Sequence, residues 1–210
     1  MIRIVSFFSF ALLLFFSSCN SSNSVDYGLD EYYVEIVTAL SDNAFLLDSG
    51  KTIFADGGNT DSAYQAGDRI FLNFSYLEGS DSQVTVHASS KIMLGVLKSV
   101  DEKEIEAFAN DPVRLESAWI GSHYLNLRIY IEYKSEKHTV TLFTDKDQLD
   151  QPEIAIYFRH DANNDPPGYP TYILLSFDLK EVLGEPEGNK TLQIHLNTTN
   201  YGDKTYELNY

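Results

Sequence analysis

Apolar and polar side chains alternate without a break along residues 124–132. Leu125, Leu127, Ile129 and Ile131 fall on one side, and Tyr124, Asn126, Arg128, Tyr130 and Glu132 on the other. A period of two over this length predicts a β-strand with one face on a core and one in water. Upstream, Pro112 ends the segment before it, and Trp119, the only tryptophan, is placed in the core at the start of a second set of strands. The stretch 110–131 therefore reads as a seam between two β units.

In the first unit, residues 27–109, short strands are joined by turn formers. Residues 32–40 alternate, with Tyr33, Glu35 and Val37 opposed to Val34, Ile36 and Thr38. Phe45, Leu46 and Leu47 run into Asp48, Ser49, Gly50 and Lys51, and Thr52, Ile53 and Phe54 return. Gly50 supplies the positive φ of the tight turn. After a polar loop at 56–61 and a turn at 64–68, residues 69–77 put Ile70, Leu72, Phe74 and Tyr76 on one face. Residues 84–100 read as a strand and its bent continuation, with Gly95 as a bulge position. Ser99 and Glu102 have the spacing of a capping box that opens a short helix through Phe108, with Ile105 and Phe108 as its buried stripe. About five strands and one helix predict a small, partly closed barrel of the OB type.

The second unit, residues 110–210, continues from the seam strand through a turn at 134–137 to a returning strand at 138–144 and a charged loop at 145–151. Ile154, Ile156 and Phe158 point inward from 153–159. Residues 160–170 are rich in turn formers and include three prolines. A strand at 172–177 leads to a single helical turn at 178–183, ended by Gly184. Leu192, Ile194 and Leu196 are the inward positions of 191–197. Residues 200–203 form a hairpin turn, and Tyr206, Leu208 and Tyr210 close the chain. Roughly seven short strands at this spacing predict an antiparallel β-sandwich. The expected fold class is all-β: an OB-type barrel followed by a sandwich.

Charge changes the picture of partners. The chain carries 15 basic and 31 acidic residues, a net charge of −16. That balance argues against nucleic acid, whose affinity rests on Lys and Arg neutralising phosphates, and against a polybasic membrane-surface helix. At the N-terminus, Arg3 precedes an apolar run at 4–16 that is too short for a stable span. Ser17 and Ser18 then lead to Cys19, the only cysteine. Residues 1–18 read as a secretory signal peptide, and residues 16–19 resemble a bacterial lipobox with Cys19 as the lipidated first residue of the mature protein. Phe16 is bulkier than the aliphatic residue usual there. Cleavage takes Arg3 away and moves the net charge from −16 to −17. Residues 19–26 form the lipidated cysteine and a Ser-rich polar tether. Acyl chains bury CH₂ groups at ~0.8 kcal/mol each, so a multiply acylated Cys19 holds the chain on a membrane. A single cysteine leaves no disulfide.

The ordered set of features resembles the NigD-like proteins, a family of bacterial lipoproteins. The resemblance is carried by Cys19, by Leu47-Asp48-Ser49-Gly50-Lys51-Thr52, by Tyr64-Gln65-Ala66-Gly67-Asp68-Arg69 ahead of Asn73-Phe74, and by Asn110-Asp111-Pro112-Val113. It continues through Trp119-Ile120-Gly121, Tyr124-Leu125-Asn126, Phe158-Arg159-His160-Asp161-Ala162 with Asp165-Pro166, and Ser176-Phe177-Asp178-Leu179, and ends with the hairpin of residues 200–210. It implies an N-terminal OB-type domain, a C-terminal β-sandwich and an address at the outer membrane of a Gram-negative cell. It also implies kinship with a bacteriocin-locus component of suggested immunity role. It brings no catalytic residues.

Candidate chemistry is sparse. Asp161, Asn163 and Asp165 alternate as the first ligands of an EF-type calcium loop do, but Pro166 stands at the sixth position and Tyr172 at the twelfth, where such a loop needs Gly and Glu. Asx residues ahead of Pro-Pro-Gly are better read as holding a turn. His160 and Asp161 lack a nucleophile or second carboxylate at a known spacing. The five histidines show no zinc spacing, and no phosphate loop opens a helix. No cofactor is expected, and no catalytic residue is assigned. Among fourteen tyrosines, Tyr124, Tyr130, Tyr157, Tyr169 and Tyr172, with Arg159 and His160, make up an expected interaction surface, because exposed Tyr stacks on sugars and anchors protein partners. The expected function is that of an outer-membrane lipoprotein that binds a protein partner. The alternative is a glycan-binding or glycan-processing accessory lipoprotein.

Overall fold

The computed structural model describes residues 31–57 and 64–210. The signal peptide, Cys19 and the tether at 19–26 lie outside the described residues, as does most of the loop at 56–61. The alternating segments all form strands. β1 (Tyr33–Ala39), β2 (Ala44–Leu47), β3 (Thr52–Ala55), β4 (Arg69–Tyr76) and β5 (Gln83–Lys91) close into a barrel in the order β1-β2-β3-β5-β4, with β4 returning onto β1. Ile70, Leu72 and Phe74 point inward as expected and meet Val37, Phe45, Ile53 and Val84, all fully buried. Each such side chain stabilises the fold by about 1.5–3 kcal/mol. Gly50 takes a φ of +86° in the turn between β2 and β3.

The remaining strands are β6 (Met93–Val100), β7 (Arg114–Gly121), β8 (Tyr124–Tyr133), β9 (Thr139–Asp145), β10 (Glu153–Asp161), β11 (Tyr169–Asp178), β12 (Thr191–Thr198) and β13 (Gly202–Asn209). They form one hydrogen-bonded sheet in the order β13-β12-β10-β9-β6-β11-β8-β7. β6 joins two layers: residues 93–96 pair with β11, and residues 97–100 pair with β9. Strands that change sheets at a bend are a standard way to turn the corner of a sandwich. Leu125, Leu127, Ile129, Leu175 and Phe177 line one layer and Leu142, Ile154, Ile156, Phe158, Leu192 and Ile194 the other, in a single core. The rings of Phe158 and Phe177 meet edge-on, with centroids 6.4 Å apart.

Several local expectations differ. β6 pairs with β9 and β11, and β10 with β12, in parallel, so the sheet is mixed. Alternation specifies a strand but carries no direction. The chain passes from barrel to sandwich at Ile92, ahead of the expected seam at residue 110, because β5 and β6 read as one strand and its continuation and only their pairing partners divide them. Gly95 is not a bulge. A Cβ there would lie 2.6 Å from the ring of Phe177, its partner in the ladder. Ser99 does not cap α1 (Glu102–Ala107). It pairs with Thr144 in the sheet, and Asp101 precedes the helix without a side-chain cap. Ile105 is buried, whereas Phe108 is half exposed and rests its ring 4.5 Å from that of Phe143. The expected helical turn is α2 (Lys180–Leu183), ended by Gly184 at a φ of +80°. The Tyr210 hydroxyl donates to the Gly184 carbonyl at 2.5 Å.

Candidate functional site

The alternation of β8 predicts that its polar side faces water. The N-terminal part of that side instead carries the barrel. Tyr124 is only 6% exposed and Asn126 is fully buried. They meet Arg69, the first residue of β4, whose side chain is completely buried. The Arg69 guanidinium donates to both carboxylate oxygens of Asp48, at 2.7 and 3.0 Å, and to Thr38 Oγ1 at 2.9 Å. It also donates across to the sandwich, to Asn126 Oδ1 at 3.3 Å and to Ser176 Oγ at 3.2 Å. Ser176 in turn donates to Asn126 Oδ1 at 2.8 Å. The guanidinium carbon lies 4.0 Å from the centroid of the Tyr124 ring. A bidentate, stacked arginine of this kind is the geometry for which Lys is no substitute. Gly121 lets the two units close: a Cβ there would sit 1.9 Å from Asp48 Oδ2.

Beside this junction a cleft of about 470 Å³ opens between barrel and sandwich. Val34, Glu35, Ile36, Asp48 and Phe71 form the barrel wall, and Trp119, Ile120, Gly121, Ser122 and Arg128 the sandwich wall. Trp119, expected in the core, is half buried on the outward face of β7 opposite Asn126. The Arg128 guanidinium lies 5.3 Å from its ring. Burial, and then the charge of Asp48, raise the pKa of Glu35. Sequence reasoning missed this cleft because its residues come from β1, the turn after β2, β4 and the β7–β8 hairpin, and the barrel and sandwich contributions lie far apart in the chain.

Farther along the same face of β8 the expected tyrosines do assemble. Tyr130 and Tyr172, ladder partners, pack edge-on with centroids 5.5 Å apart, and Arg114 covers Tyr130 at 4.0 Å. Tyr169 is 84% exposed. Tyr157 and Arg159 lie on a different surface, that of β10, with the ring of His195 stacked on Tyr157 at 4.9 Å. Burial raises the pKa of the Tyr157 hydroxyl and lowers those of Arg159 and His195. The seven expected surface residues are therefore not one site. Tyr124 seals the barrel junction, and His160 is buried.

His160 belongs to a chain of hydrogen bonds that ties three loops together. Its Nδ1 faces the Asp111 carbonyl at 3.3 Å and its Nε2 faces His138 Nδ1 at 2.9 Å, while His138 Nε2 faces Asp165 Oδ2 at 3.1 Å. Burial pushes the His160 pKa down. The Asp165 carboxylate accepts from the amides of Lys134, Ser135 and Glu136. Burial alone would raise its pKa, but these amides and His138 outweigh it and hold the carboxyl well below the usual range. Asp161 Oδ1 accepts from the Asn163 amide at 2.7 Å, and Asn163 and Asn164 take positive φ. The calcium candidates are thus spent on turn-making, and among the described residues no group of three or more His, Cys, Asp or Glu side chains is placed to hold a metal ion.

The sandwich has recognisable relatives. The family described as the NigD-like C-terminal beta sandwich domain matches residues 96–210. Among curated proteins none matches this sequence. Among solved structures, a protein of unknown function from Bacteroides vulgatus superposes with a TM-score of 0.73 at 20% identity, covering 86% of this chain and 91% of its own. A NigD-like immunity protein from Bacteroides caccae gives 0.61 at 19% identity, covering 86% and 92%. A candidate lipoprotein from Bacteroides fragilis gives 0.63 at 13% identity, covering 86% and 98%. At these identities the solved structures speak for the fold. With more than half of its length matched by the family, and the barrel-plus-sandwich fold shared along the rest, the chain belongs to the NigD-like family.

Proposed function

We propose that this chain is a non-catalytic binding lipoprotein of the cell envelope, held at the outer membrane of a Gram-negative cell through Cys19, and that it docks a protein partner on the open face of β6 and β11. The observation that carries the reading is an apolar patch. Leu94 and Val96 on β6 and Tyr172 on β11, which the ladder register places on one face, are each between 41% and 49% exposed. Beside them Phe71, Ile92, Met93, Tyr172, Ile173 and Leu174 line a shallow depression of about 400 Å³ rimmed by Ser90 and Lys91. Contiguous apolar surface with a polar rim marks protein interfaces, and Tyr and Arg are the residues on which such interfaces concentrate their energy. The Bacteroides fragilis relative, itself a candidate lipoprotein, supports the lipid anchor, and the Bacteroides caccae immunity protein supports an immunity-like role.

The test is a pull-down of the intact lipoprotein from its own membranes, run beside Val96→Glu and Tyr172→Glu variants shown by circular dichroism to be folded. The expected result is one stoichiometric membrane protein that binds the parent chain and is lost from both variants. A partner retained equally by both variants would remove the interface from this face.

A further inference from the structure

Among the described residues, four buried side-chain polar atoms have no hydrogen-bond partner: Asn73 Oδ1, Ser117 Oγ, Asn126 Nδ2 and Arg128 Nε. Native proteins leave few such groups, and each one calls for an account. Three of the four lie together. Ser117 is the ladder partner of Arg128, and Asn126 that of Trp119, so all three stand on one face of β7 and β8, and Arg128 among them lines the barrel cleft. All three can donate. The orientation of Asn126 is fixed, because its Oδ1 already accepts from Arg69 and Ser176. Its Nδ2 lies 3.0 Å from where a Gly121 Cβ would stand, on the cleft wall. Arg128 makes no ion pair and no hydrogen bond within the described residues, and its guanidinium carbon lies 5.3 Å from the centroid of the Trp119 ring. Arg69, by contrast, is saturated.

We infer that this cleft binds a sugar acid, a compact polyhydroxy ring bearing a carboxylate. Arg128 pairs with the carboxylate, and the Trp119 ring receives the C–H face of the sugar. The charge distribution selects this class. Asp48 is paired with Arg69, which leaves Arg128 as the unpaired cation of the cleft wall. A bare anion such as phosphate satisfies Arg128 but leaves the Trp119 ring uncovered, whereas a carboxylate borne on a sugar ring meets both. Size points the same way: about 470 Å³ falls within the range of small-molecule pockets, ~300–1,000 Å³, and an acidic side chain reaching in from a protein would leave most of it empty. The site borders the β6–β11 depression at Phe71, but Trp119 and Arg128 belong to the cleft alone, so the inference does not depend on that patch.

The sole tryptophan of the chain reports directly on this cleft. Glucuronate and galacturonate are titrated into the folded protein, with Trp119 emission and calorimetry as readouts, beside glucose, N-acetylglutamate and phosphate. At least one uronate is expected to saturate with a Kd on the order of 1 mM, at least tenfold tighter than the three controls. Arg128→Gln should abolish saturation, and Arg128→Lys should weaken it. Should Arg128→Gln fail to fold, the selectivity of the parent chain still decides. Equal binding of glucose removes the role of the carboxylate. Preferential binding of N-acetylglutamate makes the ligand an acidic peptide, preferential binding of phosphate makes it a simple anion, and no saturation by any probe removes the site; each of these results overturns the inference.

Discussion

Replacing Asp48 by alanine tests the arginine that holds barrel to sandwich. The substitution leaves Arg69 charged, fully buried, and with three of its five hydrogen bonds, those to Thr38, Asn126 and Ser176. Removing one partner of a buried pair costs about 3–5 kcal/mol, because the remaining charge is uncompensated. The Asp48 side chain is 20% exposed, so water entering its place recovers part of that loss. The expected loss is ~2–4 kcal/mol, a large share of a typical stability of ~5–15 kcal/mol. For a folded unit of this size it corresponds to a fall in Tm of roughly 5–15 °C. Urea unfolding followed by Trp119 emission and by circular dichroism measures it. The double variant Asp48→Leu with Arg69→Met removes both charges and should return to within about 1–2 kcal/mol of the parent. A loss below ~1 kcal/mol for Asp48→Ala, or a double variant less stable than the single, would refute this role of the pair.

Three further outcomes rest on particular atoms. Gly121→Ala places a methyl group on Asp48 Oδ2 and should destabilise about as much as Asp48→Ala, although it alters no charge; unchanged urea stability would contradict the close approach. The depressed pKa values of His160 and Asp165 both make acid destabilising. The contribution of His160 is complete above its unfolded value of about 6.5 and declines as pH falls toward its folded value, and that of Asp165 is complete above about 4 and declines at lower pH. His160→Gln should therefore flatten the stability profile below about pH 6.5, where one extra proton on the unfolded chain gives a slope of up to ~1.4 kcal/mol per pH unit; an unaltered profile would show that His160 does not carry the slope. Cys19→Ala should release the protein from membranes and abolish labelling by a lipid precursor, and unchanged fractionation would rule out the anchor.

Alternation is a local property, and what depends on it is legible along the chain. It locates the strands, it sends Leu125, Leu127 and Ile129 or Ile154, Ile156 and Phe158 into a core, and the turn glycines at 50 and 184 stand where a positive φ is needed. The NigD-like resemblance is legible for the same reason, since it is an ordered string of such local signals. Pairing is not local. Which half of β6 joins which layer, and whether it runs parallel to its neighbour, depends on partners far along the chain. The same holds for the polar side of β8. Tyr124 and Asn126 look solvent-facing because an alternating strand cannot say what covers its second face; here the barrel does, and it turns a polar stripe into a buried network around Arg69. Trp119 and Arg128 line a cleft only once the barrel packs against their hairpin, and His138, His160 and Asp165 form one chain of hydrogen bonds only once their loops and strands are laid side by side. Desolvation and juxtaposition are made by packing, so the candidate site was decided by tertiary structure while the strands were decided by residue order.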